Sequence, residues 1–525
     1  MIHWLKRQFL VWRGFASAKT RKTRAAGPWS VFFETSLSMR LFLVALFVFS
    51  FFLTTTWPAL PTHPFHVLLK IILWLGCFVG VLVLFKPDLW RSSRLLTLTL
   101  ICLLVHVTVN KTIFFWLHDF WQVKYSINTT SGAVPLVTSA LGVMLITILV
   151  DARAGILTAL LALIGELILT QPQIGADTLL SSLIIDLAAI ILTCNVRTRW
   201  HLIRAGLALS VIGLAVSWVF MMVHSFWLWP IASWWPLQGA IVFWAFAIGM
   251  GTAILVGILL PIVEWTFDCT TDISWLEWTD LNHPLLKRLT LEAPGTYHHS
   301  LMVANLAEAA AEKIDANPMI CRVMAYFHDI GKLAKPEYFI ENNSLHYNPH
   351  HELTPSISAL IIIGHVKEGI DLGLTYHLPQ QVIDVIEQHH GTTLVYYFYR
   401  KAIQHHDDVA EGGRILGVEV QEKQEVDAES FRYPGPVPQS TECAIVSLAD
   451  SIESSARALR HPTPQNIERL VRSMISRRIA EGQLNESGLT LDQIEELAKS
   501  FIFTLKNMLH SRISYPKEPS IQKSL

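Results

Sequence analysis

The chain has 525 residues, of which 52% are hydrophobic and 16% charged, and its mean hydropathy is +0.39. The hydrophobic fraction and mean hydropathy are higher, and the charged fraction lower, than in an average soluble protein, which indicates insertion into a membrane. The formal net charge of -1 gives no sign of a nucleic-acid polymer as partner. Six scattered cysteines form no C-x-x-C pair, which favours a reduced, cytosol-facing catalytic half. They are Cys77, Cys102, Cys194, Cys269, Cys321 and Cys443.

Eight stretches of the first half are apolar enough to cross a bilayer, which takes roughly 20 residues each. They are residues 41–60, 65–85, 94–110, 133–150, 154–171, 178–195, 203–224 and 238–262. Residues 1–40 are basic, with Glu34 as their one acid, so this end is predicted to stay in the cytoplasm. The loops at 171–177 and 225–237 contain no Lys or Arg. With an even number of spans, everything after residue 263 is predicted to be cytoplasmic.

A cleavable signal peptide is the competing interpretation of the N-terminus. It is disfavoured because the first apolar span begins forty residues in and lacks a small-residue cleavage site. Within the predicted spans, Glu166 and Asp186 are ionisable, and such residues are costly in a membrane and often functional. Protonated or hydrogen-bonded packing residues are the alternative, so both are candidates for signal transmission only.

From residue 264 onward the sequence changes to amphipathic helices, which completes an all-α prediction: a polytopic helical membrane domain followed by a cytoplasmic helical bundle. The predicted domains are a basic segment (1–40), a transmembrane domain of about eight helices (41–263), a juxtamembrane linker (264–290), a helical domain (291–515) and a tail (516–525). One predicted helix begins at an Asn317 cap with Pro318 in its first turn. Another has Thr296 as its cap candidate.

The helix after Asn317 ends at an adjacent pair, His328 and Asp329, where its apolar stripe should continue. A buried carboxylate needs a partner, and none is visible locally. Further histidines recur at helix ends, namely His299, His365, His389 and His390, with Gly391 as a plausible helix C-cap. Each alone is more often an ordinary residue. Because imidazoles are favoured metal ligands and one carboxylate can bridge two cations, a shared aspartate between two metals would resolve the problem.

Several segments in order make the chain resemble the seven-transmembrane HD-domain phosphohydrolases, which include the PgpH-type cyclic di-AMP phosphodiesterases. They are "LLPIVEW", "TDLNHPLLKRL", "EAPGTYHHSLMVANLAEAAA", "HDIGKL", "NPHHELTPSISA", "IEQHHGTTLVYYFY", "RYPGPVPQS" and "IVSLADSIESSARAL". The resemblance covers about residues 240–510 and is looser over the spans. It implies that residues 291–515 form an HD phosphohydrolase domain.

The resemblance also implies two metal sites that share Asp329. The ligands of the first are His299, His328, Asp329 and Asp450, and those of the second are Asp329, His365, His389 and His390. Only the family register selects His299 over the adjacent His298. The pair His350 and His351 has no ligand role in the family and is interpreted as loop. Lys332, one turn beyond His328, is predicted to stabilise charge on the transferring phosphoryl group, with a solvated lysine as the alternative.

The implied reaction is hydrolysis of cyclic di-AMP to pApA, in which a metal-bridging hydroxide attacks phosphorus. Mn or Fe is the implied metal, and mixed His and carboxylate ligands do not exclude Zn or Co. Relatives that cleave cyclic di-GMP carry a GYP-type signature, which "HHGTTLVYYFY" lacks. The implied location is the bacterial cytoplasmic membrane, with the lipid bilayer and the cyclic dinucleotide as partners. Oligomeric state is left open between a monomer and a homodimer.

One departure from the family is the short connection between the first two spans, about residues 58–64, where relatives carry a large extracytoplasmic domain. Two alternatives are an HD hydrolase of another nucleotide phosphoester, such as ppGpp, and a non-catalytic nucleotide-binding membrane receptor. The apparently complete set of seven ligands disfavours both.

Overall fold

The computed structural model describes residues 37–56, 64–125, 138–170, 176–225, 234–267, 269–343, 348–415, 426–459 and 461–510. Within these ranges the regular secondary structure is helical, apart from one isolated bridge between Leu394 and Arg432. This confirms the predicted all-α class. The chain divides into two compact units at residues 276 and 277, inside the segment predicted as a linker.

The first unit, which we call the membrane unit, contains nine helices among its described residues. They are α1 (Leu37–Thr56), α2 (Pro64–Phe85), α3 (Pro87–Arg91), α4 (Ser93–Tyr125), α5 (Leu141–Leu149), α6 (Ala152–Thr170), α7 (Ala176–Thr193), α8 (Arg199–Ser225) and α9 (Trp234–Phe267). Five of them, α1, α2, α4, α8 and α9, are long and apolar enough to cross a membrane. Large apolar side chains such as Leu84, Ile191 and Trp265 are exposed, as expected for a lipid-facing surface.

These five helices coincide with the first three and the last two predicted spans. The fourth to sixth predicted spans fall on α5, α6 and α7, and residues 133–137 of the fourth lie outside the described residues. The basic N-terminal segment also lies outside them, except for residues 37–40. The count of eight spans therefore stays a prediction.

The second unit, which we call the C-terminal unit, follows a short helix α10 (Asp272–Trp278) that crosses the boundary. Its helices are α11 (Pro284–Glu292), α12 (Pro294–Ala311), α13 (Pro318–Phe327), α14 (Pro355–Thr375), α15 (Gln380–Gln388), α16 (Tyr396–Ile415), α17 (Thr441–Arg457), α18 (Pro464–Ala480) and α19 (Leu491–His510). Most of α17 is buried, from Cys443 to Glu453, so this helix lies at the centre of the bundle.

Local sequence signals explain where several of these helices begin. The Asn317 side chain accepts from the backbone N–H groups of Met319 and Ile320, which confirms the predicted cap of α13. The predicted cap at Thr296 is wrong, because α12 begins two residues earlier at Pro294. The backbone N–H of Thr296 instead donates to Asn342 Oδ1, a partner 46 residues away that no local pattern reveals.

A short 3₁₀ helix, Ile330–Ala334, follows Asp329 and packs on α14 through Gly331. A Cβ atom at Gly331 would collide with the backbone carbonyl of His365 and approach within 2.5 Å of the Gly369 nitrogen. Only glycine permits backbones this close. The contact sets how near the Asp329 segment lies to the helix that carries His365.

We expect Gly331→Ala to lower the free energy of unfolding by about 1–3 kcal/mol, since backbone atoms would have to move to admit the methyl group. Gly364→Ala is the matched control. A Cβ there meets nothing within 4 Å, and alanine is the better helix former by up to about 1 kcal/mol. Thermal unfolding of the detergent-solubilised chain compares the two. Equal midpoints for both variants would contradict the close-packing argument.

Candidate metal centre

Five elements of the C-terminal unit bring together the seven predicted ligands. His299 lies on α12, His328 and Asp329 follow α13, His365 lies on α14, His389 and His390 follow α15, and Asp450 lies on α17. All except His390 are buried. Their ligand atoms form two compact groups, one of His299, His328, Asp329 and Asp450 and the other of Asp329, His365, His389 and His390. The predicted division of the residues is reproduced in full.

Asp329 belongs to both groups because its two oxygens face different histidines. Oδ2 lies 3.2 Å from His328 Nε2 and 3.6 Å from His299 Nε2. Oδ1 lies 3.4 Å from His365 Nε2 and 3.7 Å from His389 Nε2. This carboxylate is therefore placed to bridge two cations.

Asp450 is the fourth residue of the first group. Its Oδ1 lies 3.0 Å from His299 Nε2 and 3.8 Å from His328 Nε2. Its Oδ2 lies 3.8 Å from His390 Nδ1, and the His390 ring stacks on Tyr433 of the "RYPGP" segment, with ring centroids 4.2 Å apart.

Backbone carbonyls orient three of the imidazole rings. Nδ1 of His328 lies 2.8 Å from the Ala325 carbonyl, Nδ1 of His365 2.6 Å from that of Ile362, and Nδ1 of His389 2.9 Å from that of Val385. A carbonyl only accepts, so Nδ1 carries a hydrogen, and Nε2 is the nitrogen left to bind a metal ion. Metal-ligating histidines are commonly held in this way.

Helix termination fixes the adjacent pair His389 and His390. The chain reverses after α15 because Gly391 has a φ of 54°, and its N–H donates to the Gln388 carbonyl at 2.8 Å. Glycine adopts this left-handed conformation without strain. The C-cap of α15 is His389, so the predicted cap at Gly391 is two residues too late, although Gly391 makes the turn that follows the helix. Both histidines are thereby directed towards the centre.

Two atoms within the groups indicate that the residues fit metal ions. His328 Nε2 and Asp329 Oδ1 are buried and have no hydrogen-bond partner among the described residues. A buried polar atom without a partner is costly. Divalent cations bound by the two groups would satisfy both atoms, and mixed imidazole and carboxylate donors suit such ions.

The charges in the centre are strongly coupled. Burial opposes ionisation of Asp329, but Lys332 and His328 outweigh it and hold the pKa of the carboxyl well below its usual range. Burial also lowers the pKa of His328, yet Asp329 raises it more, to about 10. Burial and the neighbouring His328 lower the pKa of His389 to about 3. The second group therefore holds neutral His389, the protonation state that binds metals.

Lys332 lies beside the centre as predicted. Its Nζ is 2.7 Å from Asp329 Oδ2 and 2.7 Å from Glu341 Oε1. Burial lowers the pKa of this ammonium, but the two carboxylates raise it above its usual value, so Lys332 remains a cation. It also lines a cavity of about 310 Å³ that His299 and Arg457 border.

Sequence reasoning missed Glu453 and Arg457. Glu453 Oε2 lies 2.5 Å from His299 Nδ1 and 2.5 Å from Arg457 Nη2. Glu453 therefore orients the His299 ring as carboxylates do beside metal-bound histidines. Its spacing of three residues from Asp450 on one helix was the available signal, because such residues share a helix face.

The neighbouring histidines lie outside the two groups. His298 and His351 are exposed, and His350 Nε2 donates to the Tyr338 carbonyl at 2.8 Å while its ring packs on Phe398. None of the three belongs to the two groups of candidate ligands found in the described part of the chain.

Comparison with known families agrees with this architecture. Residues 62–271 match the family described as a 7TM receptor with intracellular HD hydrolase, and residues 296–455 match the HD domain. The first range contains seven of the eight predicted spans, and the second contains all seven candidate ligands. Fold and site together define a multi-pass membrane protein with an HD domain. The chain belongs to the family of 7TM receptors with an intracellular HD hydrolase.

The chain is similar to two curated relatives, both named cyclic-di-AMP phosphodiesterase PgpH. It is 33% identical to that of Bacillus subtilis (strain 168) over 456 residues, 85% of this chain and 60% of the relative. It is 33% identical to that of Listeria monocytogenes serotype 1/2a (strain 10403S) over 385 residues, 73% of this chain and 50% of the relative. The chain thus spans about half to three-fifths of the length of these relatives.

Among solved structures, the chain is similar to the PgpH HD domain of L. monocytogenes. A crystal structure of that domain and another of it in complex with cyclic-di-AMP are each 42% identical to this chain. Each match covers 44% of this chain and 100% of the solved chain, with a TM-score of 0.39.

We expect His299→Ala to lose metal from one group and Asp329→Ala to lose metal from both, because only Asp329 contributes to both. Elemental analysis of the purified chain measures the ratio of bound metal to protein. His298→Ala is the matched control, since the neighbouring ring is exposed and should leave the ratio unchanged. Loss of metal in His298→Ala with none lost in His299→Ala would mean that His298, and not His299, is the ligand.

Proposed function

We propose that this chain is a membrane-anchored, metal-dependent phosphodiesterase that hydrolyses cyclic di-AMP to the linear dinucleotide pApA. The observation that carries the proposal is the pair of histidine groups joined by Asp329 in an HD domain. The substrate is supported by similarity to two relatives that are named cyclic-di-AMP phosphodiesterase PgpH. The seven residues of the two groups are proposed as the metal ligands, and Mn or Fe as the metals.

When bound, two divalent cations supply a deprotonated water and neutralise the phosphate oxygens. The residues of the chain hold the reacting phosphodiester and control charge around it. Nδ1–H donation to backbone carbonyls keeps the Nε2 atoms of His328, His365 and His389 directed inward. Asp329 and Asp450 are held as carboxylates, because neighbouring cations and hydrogen bonds outweigh burial and lower both pKa values.

Lys332 is proposed to bind a non-bridging oxygen of the phosphodiester from the cavity side. It remains an ammonium at neutral pH, so its role is to stabilise developing negative charge. Glu341 and Asp329 fix the ammonium at 2.7 Å each, which lowers the entropic cost of placing it. Glu453 is a positioning residue that acts through His299.

Turnover of cyclic di-AMP by the purified full-length chain with Mn or Fe tests this proposal, with pApA followed by chromatography. We expect Asp329→Ala to lower kcat more than about 100-fold, since loss of a residue that merely orients a ligand already costs roughly 10–100-fold. His351→Ala, an exposed histidine outside both groups, should retain activity. Undiminished turnover in Asp329→Ala would remove the two-metal mechanism, and cleavage of cyclic di-GMP alone would change the substrate.

We also propose that the C-terminal unit lies in the cytoplasm of a bacterium and that the membrane unit spans its cytoplasmic membrane. The basic residues of segment 1–40 support this orientation. A reporter that is active only in the cytoplasm, fused after residue 510, should be active. Activity instead from a periplasm-specific reporter at the same position would contradict the orientation and the even number of spans.

A further inference from the structure

The membrane unit contains a buried polar cluster that the proposed hydrolysis does not use. It consists of His106 and Asn110 on α4, Glu166 on α6 and Asp186 on α7, and we call it the His106 cluster. Their exposed fractions are 0%, 4%, 5% and 2%. Ionisable side chains this deep in a membrane bundle are costly, so their retention calls for a function.

The contacts of Asn110 identify hydrogen-bond donors and acceptors in the cluster. Its Oδ1 accepts from the backbone N–H of Ser139 at 2.8 Å, which identifies the other amide atom as the donor. That Nδ2 donates to Glu166 Oε1 at 2.6 Å and lies 3.2 Å from His106 Nε2. The Glu166 carboxylate is therefore stabilised by a hydrogen-bond donor, and His106 Nε2 accepts a hydrogen bond from the same amide.

Asp186 has no comparable support. Its Oδ2 lies 3.5 Å from His106 Nε2, and its Oδ1 is buried without a hydrogen-bond partner among the described residues. Nε2 has a single lone pair, which accepts from Asn110, so the neutral ring offers Asp186 no donor there. An ionised Asp186 carboxylate would be a buried charge without stabilisation, and a proton on Asp186 removes that charge. His106 Nδ1 is likewise buried without a described partner and carries the hydrogen of the neutral ring.

The charge balance of the cluster also favours a proton on Asp186. With His106 neutral and both acids ionised, the cluster would bury two negative charges, which is unfavourable without compensation. The remaining charged residues of α4, α6 and α7, apart from Lys111, lie towards the helix ends. They are Arg94, Asp119 and Lys124 on α4, Arg153 on α6 and Asp177 on α7. The longer helices that pack on these three carry Arg40 on α1, Lys70 on α2, Arg199 and Arg204 on α8 and Glu264 on α9, of which Lys70, Arg199 and Arg204 are exposed. Lys111, next to Asn110, directs its ammonium to the Thr54 carbonyl on α1.

A divalent metal is the less suitable ligand for this cluster. The groups of three or more His, Cys, Asp or Glu residues that are compact enough to share one ion, among the described residues, are the two of the C-terminal unit. His106 Nε2 lies 3.5 Å from Glu166 Oε1 as well as from Asp186. A proton on Asp186 needs no such convergence of ligands.

We propose that the His106 cluster is a proton-binding site of the membrane unit and that Asp186 holds the proton as a neutral carboxylic acid at neutral pH. The proton comes from the aqueous phase and converts the Asp186 carboxylate to a neutral carboxyl. Release of the proton adds a negative charge to the interior of the bundle formed by α4, α6 and α7, so protonation and the packing of these helices are coupled.

Infrared difference spectroscopy of the full-length chain in lipid nanodiscs tests this proposal, because a protonated carboxyl group has its own carbonyl-stretch band. We expect such a band at pH 7 that shifts in D2O and disappears reversibly as the pH rises. The buried carboxylates of the metal centre do not contribute, since the pKa values of Asp329 and Asp450 are well below the usual range. Asp186→Asn should abolish the band, and Asp177→Asn on the same helix should preserve it.

Asp186→Glu covers the case in which removal of the carboxyl prevents folding, and it should retain the band at a shifted frequency. The proposal is overturned if the wild type has no protonated-carboxyl band at pH 7, or if the band persists unchanged in Asp186→Asn. A chain without the band whose thermal stability depends on Na⁺ or K⁺, compared with an organic cation, would identify a metal-cation site instead. None of these readouts depends on phosphodiesterase activity, so the proposal can fail independently of the proposed function.

Discussion

The arrangement of the C-terminal unit depends on one buried carboxylate. Asp329 is 1% exposed, and an isolated charge at that depth would destabilise the fold by several kcal/mol. Its surroundings therefore have to supply positive charge from several directions. Lys332 does so at 2.7 Å, and the histidines of α12, α13, α14 and the end of α15 surround both oxygens. The same requirement explains why the backbone after Asp329 packs on α14 through a glycine.

Local features of the metal centre can be predicted from the sequence, whereas the grouping of its residues cannot. The adjacent His328 and Asp329, the Asn317 cap and the Gly391 reversal are local features, and the structure confirms the cap and the reversal. Grouping the seven candidate ligands required the family resemblance, because their separations along the chain carry no distance information. The structure places them in the two expected groups, while their role as ligands stays a prediction.

The features that sequence analysis missed are long-range contacts. Asn342 caps α12 from 46 residues away, so Thr296, the nearest residue of suitable type, was the wrong choice. Glu453 contacts His299, which is 154 residues away. Its spacing from Asp450 indicates a shared helix face, but the contact itself is evident only once α12 and α17 are packed together. Asn342 and Glu453 both form hydrogen bonds with buried groups of distant helices. In the sequence each is an isolated polar residue, because nothing local identifies its partner.

The metal centre and the His106 cluster balance charge in different ways. In the metal centre, an ammonium and imidazoles surround the carboxylates, and metal ions fit the lone pairs that remain. In the His106 cluster, an amide stabilises Glu166, while Asp186 has no hydrogen-bond donor among the described residues, so neutralisation by a proton is the available solution. The His106 cluster therefore provides a group inside the membrane unit whose charge can change, whereas the carboxylates of the metal centre are held ionised by their neighbours.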